Sequence, residues 1–235
     1  MESTTIIEKL MTFGLSRQEA TIYLCLLQNG NMNGYEVSKD TGISRSNVYS
    51  SLVSLTDKGA ANLIEGNPSK YVAVSIEELC ENYIHTLAQN MEFLKEEVAP
   101  KQEAEVGYVT ISGYQNIMNK LRHMMDETKE RIYISVSGEI LKQITKDLEK
   151  CSERGLRIVI ISDIPDVQRP KLQCEYYFKE DKSAQLRFIS DSHYVLTGEL
   201  TGKESDSGLY CGQKNFVTVF KDALRNEIKL IQLNQ

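Results

Sequence analysis

Apolar residues recur at helical spacing through the first sixty positions, and the period then shortens to alternation. Ile6, Leu10 and Phe13 mark a short first helix ending at Gly14. Ala20, Tyr23, Leu24 and Leu27 form the stripe of a second, which starts at Ser16 and stops at Gly30; Ser16 followed by Glu19 is a capping box. A third helix covers roughly Gly34 to Asp40, with Val37 pointing inward, and Thr41-Gly42 turns into a fourth. In that fourth stretch, Gly42 to Gly59, Ser44 is the expected N-cap. Val48, Leu52 and Leu55 are the buried stripe, and Gly59 is the left-handed stop. Ser46, Ser50 and Ser54 lie opposite the stripe, flanked by Asn47 and Tyr49. A face of short hydrogen-bonding side chains can enter a DNA major groove and meet base edges. Taken alone, a solvated surface helix is the more economical reading, so the neighbouring elements decide.

After Gly59, Ala61 to Ile64 reads as a strand, Glu65 to Ser69 as a turn, and Lys70 to Val74 as the returning strand. Helices followed by a hairpin make a winged helix, with two short helices and a glycine-containing turn as its helix-turn-helix. Asn67 and Lys70 fall where a wing tip can touch phosphate. Ser75 with Glu78 opens a further helix, in which Cys80, Ile84, Leu87, Met91, Leu94 and Val98 follow alternating steps of four and three until Pro100. That is a heptad seam, expected to pair with the same helix of a second copy rather than to pack on its own domain. Tyr83 and Phe93 lie off the seam and are expected to dock neighbouring domains.

Beyond residue 104 strands and helices alternate. Strands are expected over Val106 to Ile111, Arg131 to Val136, Leu156 to Ser162, Leu186 to Ile189, Tyr194 to Thr197 and Gly208 to Cys211. Helices are expected over Gly113 to Thr128, Glu139 to Arg154 and Gln213 to Glu227. LRIVIIS is apolar enough for the middle of a parallel sheet, and Asp163 to Ser183 reads as a polar connection. The expected architecture is an α+β winged helix-turn-helix domain (residues 1–74), a coiled-coil dimerisation helix (75–104) and an α/β domain (105–235). Open α/β sheets place ligands at the carboxyl ends of their strands. Ser135, Ser137, Ser162, Asp163, Asp191 and Glu199 are the candidate effector-pocket residues, although caps and turns explain each of them individually.

Composition narrows the chemistry. A net charge of −6 argues against a non-specific polyanion binder, yet permits a local positive face. Residues 1–74 carry Lys9, Arg17, Lys39, Arg45, Lys58 and Lys70 against seven acids, so one copy offers few phosphate contacts and a dimer on two half-sites is expected. The five cysteines are scattered, with no CxxC, and the three histidines are equally dispersed. Neither a metal site nor a cofactor is expected, and buried free thiols in the cytoplasm are. No signal peptide or membrane-spanning run is visible.

The run FGLSRQEATIYLCLLQNG, then YEVSKDTGISRSNVYSSLVSLTDKG, then KYVAVSIEEL resembles the TrmB-like winged-helix transcriptional regulators. Their Gly-Leu-Ser/Thr-x-x-Glu-Ala pattern appears as Gly14-Leu15-Ser16 and Glu19-Ala20, and Arg-Ser-x-Val-Tyr appears as Arg45 to Tyr49. Ala60-Ala61 and Asn31-Met32-Asn33 depart from the usual residues of that family. The resemblance implies double-stranded DNA as a partner, with Arg17, Ser44, Arg45, Ser46, Asn47, Tyr49, Ser50 and Lys70 at the interface, and a homodimer. RFISDSHYVLTGEL resembles one half of a phospholipase-D-like domain. Aligning Asp191 with the acid of that family's His-x-Lys-x4-Asp motif puts Ala184 and Leu186 where the nucleophilic histidine and the lysine belong. Covalent phosphoryl transfer needs that nucleophile, so the domain is read as a non-catalytic sensor of an unnamed small molecule or partner. No sugar effector is implied, because short family members lack the sugar-binding extension. The competing readings are a phosphodiesterase or nuclease, and a winged helix that binds protein.

Overall fold

A computed structural model describes residues 2–98, 107–165 and 172–233. The expected helix stop at Pro100, the domain boundary at residue 104 and the strand start at Val106 lie outside the described residues. The chain divides into two compact units, residues 1–101 and 102–235.

The first unit contains α1 (Glu2–Thr12), α2 (Arg17–Asn29), α3 (Gly34–Thr41), α4 (Arg45–Asp57), the antiparallel hairpin β1 (Ala61–Ile64) and β2 (Lys70–Ala73), and α5 (Ile76–Glu97). The Ser16–Glu19 capping box forms in full. Asn33 serves α3 in the same way: its side chain accepts from Tyr35 N and Glu36 N, and Glu36 reaches back to Asn33 N. Asparagine is as good an N-cap as serine, so the departure from the family pattern at this point changes nothing. Residue 32 does more than precede a helix. Met32 exchanges backbone bonds with Tyr71 at 3.1 and 2.8 Å, laying a third short segment beside the wing.

α2 runs through the core. The expected stripe was Ala20, Tyr23, Leu24 and Leu27, but Ile22 and Leu26 are buried as completely as Ala20 and Tyr23, while Leu24 and Leu27 are only half-buried. The helix is enclosed because α1, α3 and α4 all pack on it, and the stripe shifts accordingly. Val37, Val48, Leu52, Leu55, Ala60 and Ala61 complete that core, and the Tyr23 hydroxyl donates to Val74 O at 2.9 Å, tying α2 to the end of the wing.

Glu19 fixes α4 against α2. Its carboxylate is buried and accepts from Ser16 N (2.6 Å), Ser54 Oγ (2.6 Å) and Lys58 Nζ (2.7 Å). Burial pushes its pKa up, but the bonds from Lys58, Ser54 and Ser16 outweigh that and hold it at about 2.

The second unit is a seven-stranded mixed sheet in the order β3-β9-β8-β7-β4-β5-β6. Its strands are β3 (Tyr108–Ser112), β4 (Arg131–Ser135), β5 (Arg157–Ser162), β6 (Glu175–Phe178), β7 (Gln185–Ser190), β8 (Tyr194–Glu199) and β9 (Ser207–Cys211). Strands β4, β5 and β6 are parallel, and the remaining pairs are antiparallel. β5 therefore does sit in the middle of a parallel region. β6 was expected to be loop. Its segment EYYF is short and edge-placed, and the polar residues around it hide the strand. Helices α6 (Tyr114–Glu127) and α7 (Gly138–Glu153) cover one face over Ile117, Leu121, Ile134, Leu141, Ile160 and Phe188. α8 (Lys214–Leu233) covers the other over Ile161, Ile189 and Val195. Alternate residues of each strand thus serve opposite layers, as a pleated sheet requires.

The low pKa of Glu19 has a consequence for stability. A carboxylate whose folded pKa is depressed stabilises the fold above its unfolded pKa and loses that contribution as pH falls through the folded value. Glu19→Gln is expected to destabilise the N-terminal unit by roughly 2–3 kcal/mol at pH 7. That deficit should shrink as pH falls from about 4.5 to about 2, measured by urea unfolding of both proteins across the pH range.

Candidate nucleic-acid interface

α4 turns one face to the core and the other outward. Val48, Leu52 and Leu55 are fully buried, and Ser51 is buried beside them. Arg45, Ser46, Asn47, Tyr49, Ser50 and Val53 are exposed. Two expectations change in detail. Ser44 is the N-cap residue by position, but its side chain accepts no backbone bond and lies 3.3 Å from Ser46 Oγ instead. Ser54 was expected on the outward face; its hydroxyl points back to Glu19, and Val53 stands on the outward face in its place. The exposed face is therefore polar and slim over its first two turns, apolar at Val53, and acidic only at Asp57 near the end.

The arginine at the head of the helix is held. The Arg45 guanidinium lies over the Tyr35 ring, 4.5 Å from its centroid. Tyr49 lies against Gly34, where any Cβ would come within 2.7 Å of its ring. Arg17 is exposed at the start of α2, and Lys70 is exposed at the start of β2, beside the wing turn. Lys58, one of the few cations of this unit, is occupied by Glu19 and by Gly14 O. Sequence reasoning missed Gly34, Tyr35 and Val53; the adjacent Gly-Tyr pair opening α3 carries no motif that would have marked it.

α5 is amphipathic, and within its own unit little of its apolar side is covered by the described residues. Leu79 is its one buried residue, while Ile84, Leu87, Met91 and Leu94 are about half exposed and Val98 more so; Cys80 is half-buried. Tyr83 packs on the helical unit, edge-on to the Phe13 ring at 5.8 Å, whereas Phe93 is exposed.

In the C-terminal unit the six candidate pocket residues do not converge. Ser135 and Ser162 are buried at the ends of β4 and β5, and Ser162 Oγ has no hydrogen-bond partner among the described residues. Ser137 and Asp163 line a cleft of about 630 Å³ at the carboxyl ends of β4 and β5, with Tyr114, Glu139 and Thr201. There Asp163, not Ser137, caps α7, accepting from Gly138 N at 2.5 Å. Glu199 lines an adjoining cleft of about 940 Å³ with Thr110, Arg187, Thr197, Lys203 and Phe220, the two clefts sharing Thr201. Asp191 belongs to neither. It follows β7, whose Ser190 pairs with Ile132 at the amino end of β4, about 10 Å of strand away from Ser135. Its carboxylate accepts from the backbone N–H groups of Lys129, Glu130 and Arg131 at 2.8–2.9 Å. Burial raises its pKa, but those three bonds hold it below the usual carboxylate value. Asp191 is a structural staple that lines neither cleft. Leu186, at the position of the motif's lysine, is fully buried in the core. Among the described residues no group of His, Cys, Asp and Glu could hold a metal ion, and no helix is long and apolar enough to cross a membrane.

A helical unit with a polar outward helix and a wing, joined in one chain to an α/β unit, defines a winged helix-turn-helix protein with an appended second domain. Residues 10–77 match the family described as sugar-specific transcriptional regulator TrmB, and residues 108–226 match transcriptional regulator TrmB, EBD N-terminal subdomain. The chain belongs to the TrmB family of transcriptional regulators. It is 30% identical over 169 residues to the HTH-type sugar sensing transcriptional regulator TrmBL1 of Pyrococcus furiosus, across 69% of this chain and 48% of that protein. It is 26% identical over 169 residues to the DNA-binding HTH-type transcriptional repressor TrmBL2 of Thermococcus kodakarensis, across 63% of each. The chain thus spans 48% and 63% of the length of these curated relatives. Among solved structures, the archaeal chromatin protein TrmBL2 aligns over 97% of this chain and 98% of its own with a TM-score of 0.47 and 19% identity. NucT from Helicobacter pylori aligns over 54% of this chain and 98% of its own with a TM-score of 0.44 and 12% identity. Likenesses of that degree say nothing about activity. Ala184 and Leu186 stand where the phospholipase-D-like motif would carry its nucleophilic histidine and its lysine.

Removing the Asp191 carboxylate leaves three backbone donors at the head of β4 without their acceptor. Asp191→Ala is expected to destabilise the C-terminal unit by about 2 kcal/mol, read by thermal unfolding. Phosphodiester hydrolysis by the wild-type chain, lost in this variant, would instead make Asp191 catalytic.

Proposed function

We propose that this chain is a sequence-specific, DNA-binding transcriptional regulator that acts as a homodimer in the cytoplasm. In this reading α4 lies in the major groove and the C-terminal unit senses a small molecule or a protein partner. The observation that carries the reading is the outward face of α4: five polar or aromatic side chains and one valine, with no carboxylate before Asp57. Such a face tolerates the close approach of a polyanion, meets base edges with Ser46, Asn47 and Ser50, and offers the Val53 methyl groups to a thymine methyl. Arg45 holds phosphate at the head of the helix, with Lys70 from the wing and Arg17 from α2 at its borders; Ser44 and Tyr49 contact the backbone or bases.

The sparse positive charge supports a dimer. A single copy neutralises few phosphates, and two copies on adjacent half-sites double that number. The uncovered seam of α5 supports the same conclusion. Cys80, Ile84, Leu87, Met91, Leu94 and Val98 repeat at heptad spacing and are left largely to solvent in the single chain, an arrangement that a partner helix would bury. For the sensing role, Ser137 and Asp163 in one cleft and Glu199 in the other are the candidate contacts.

Genome-wide footprinting with and without candidate metabolites tests the whole reading; no enrichment of any DNA would favour a winged helix that binds protein. Arg45→Ala with Lys70→Ala is expected to lower affinity for the recovered duplex and to reduce the slope of log K against log salt by about 1.8, close to 0.9 per lost phosphate contact. An unchanged slope would remove both residues from the phosphate contacts. Leu87→Glu with Leu94→Glu is expected to convert a dimer to a monomer in sedimentation velocity and to weaken DNA binding at least tenfold, roughly the loss of one half-site's avidity. A dimer that survives both changes would place the interface elsewhere.

A further inference from the structure

The first turn of α3 and the first turns of α4 grip one another through two contacts. Tyr49 lies against Gly34, at the opening position of α3. One residue on, the Tyr35 ring lies against the Arg45 guanidinium at 4.5 Å. Arg45 and Tyr49 are four residues apart and so stand one above the other on a single face of α4, while Gly34 and Tyr35 are adjacent. The backbone of Tyr35 is itself pinned, because its N–H donates to the Asn33 cap at 3.0 Å.

Burial does not explain Tyr35. The residue is 52% exposed, outside the core of the helical unit. Arg45 is exposed too, and among the described residues it makes no ion pair. An arginine in the first turn of an exposed helix ordinarily samples many rotamers. Stacking on an aromatic face restricts it while leaving the N–H groups, which lie in the plane of the guanidinium, free at its edge. A guanidinium held in this way is organised for a phosphate before any phosphate arrives, which lowers the ordering cost of binding.

We propose that Tyr35 is a positioning residue for Arg45: its ring presets the guanidinium for the DNA backbone and makes no base contact of its own. This rests on the reading that α4 faces DNA. The mechanism separates charge from position. Tyr35→Ala keeps the arginine charge and loses only its platform, so affinity for the duplex recovered by footprinting falls about two- to tenfold, the ordering cost of one immobilised side chain. The salt slope stays at the wild-type value because the number of phosphates neutralised is unchanged. Arg45→Ala lowers affinity and flattens the slope. Tyr35→Phe keeps the platform and binds like wild type, and Tyr35→Ala adds nothing on top of Arg45→Ala.

The free protein supplies a second readout. The Arg45 δ protons should show an upfield ring-current shift in wild type and Tyr35→Phe, and lose it in Tyr35→Ala. A Tyr35→Phe protein as weak as Tyr35→Ala would mean that the hydroxyl contacts DNA directly, and would overturn the proposal. So would a Tyr35→Ala effect that is fully additive with Arg45→Ala. If Arg45→Ala leaves both affinity and slope unchanged while the wild-type chain binds the duplex, the placement of α4 fails first and this inference fails with it.

Discussion

A buried carboxylate governs how the outward helix of the first unit is presented. Glu19 sits in the opening turn of α2, and its acceptors are taken by a backbone N–H of that turn, a serine three turns along α4 and the lysine that ends α4. Desolvating a charge is costly unless it is paired and hydrogen-bonded, and here every partner comes from one of the two helices that must keep a fixed angle. The hydrophobic contacts of Val48, Leu52 and Leu55 are non-directional and allow α4 to slide or roll. The Glu19 bonds do not. Lys58 is one of the few cations of the unit, so this rigidity is achieved with charge that would otherwise be free for a polyanion.

The N-terminal unit was legible because its signals are local. Capping residues, glycine stops and apolar periods each act within a few positions, and they mark α2, α4, the wing and the start of α5 nearly to the residue. What stayed hidden depends on partners distant in sequence. Ser54 looks like a member of a serine-rich outer face until Glu19, thirty-five residues earlier, takes its hydroxyl. Ile22 and Leu26 look peripheral until α2 proves to be enclosed. Tyr35 carries no pattern, and its role comes from the turn that brings Arg45 above it.

The C-terminal unit was legible as alternating strands and helices, but not as a topology. The parallel trio β4, β5 and β6 is extended on one side by antiparallel strands, and that reversal decides which polar residues share an end of the sheet. Asp191 and Asp163 both follow strands and both accept backbone bonds. One follows a strand parallel to β4 and the other a strand antiparallel to it, so they finish at opposite ends. Strand direction is invisible in a periodicity of two, which is why six residues at strand ends read as one pocket.

The Asp191 staple also divides labour along the sheet. It secures the amino end of β4, while the clefts lined by Ser137 and by Glu199 lie toward the other end. A protein arranged in this way can accumulate substitutions around Ser137, Glu139 and Thr201 without disturbing the joint that keeps its strands in register. Its recognition chemistry and its foldability can therefore diverge at different rates, and a single scaffold can be retuned to new signals over evolutionary time or by design.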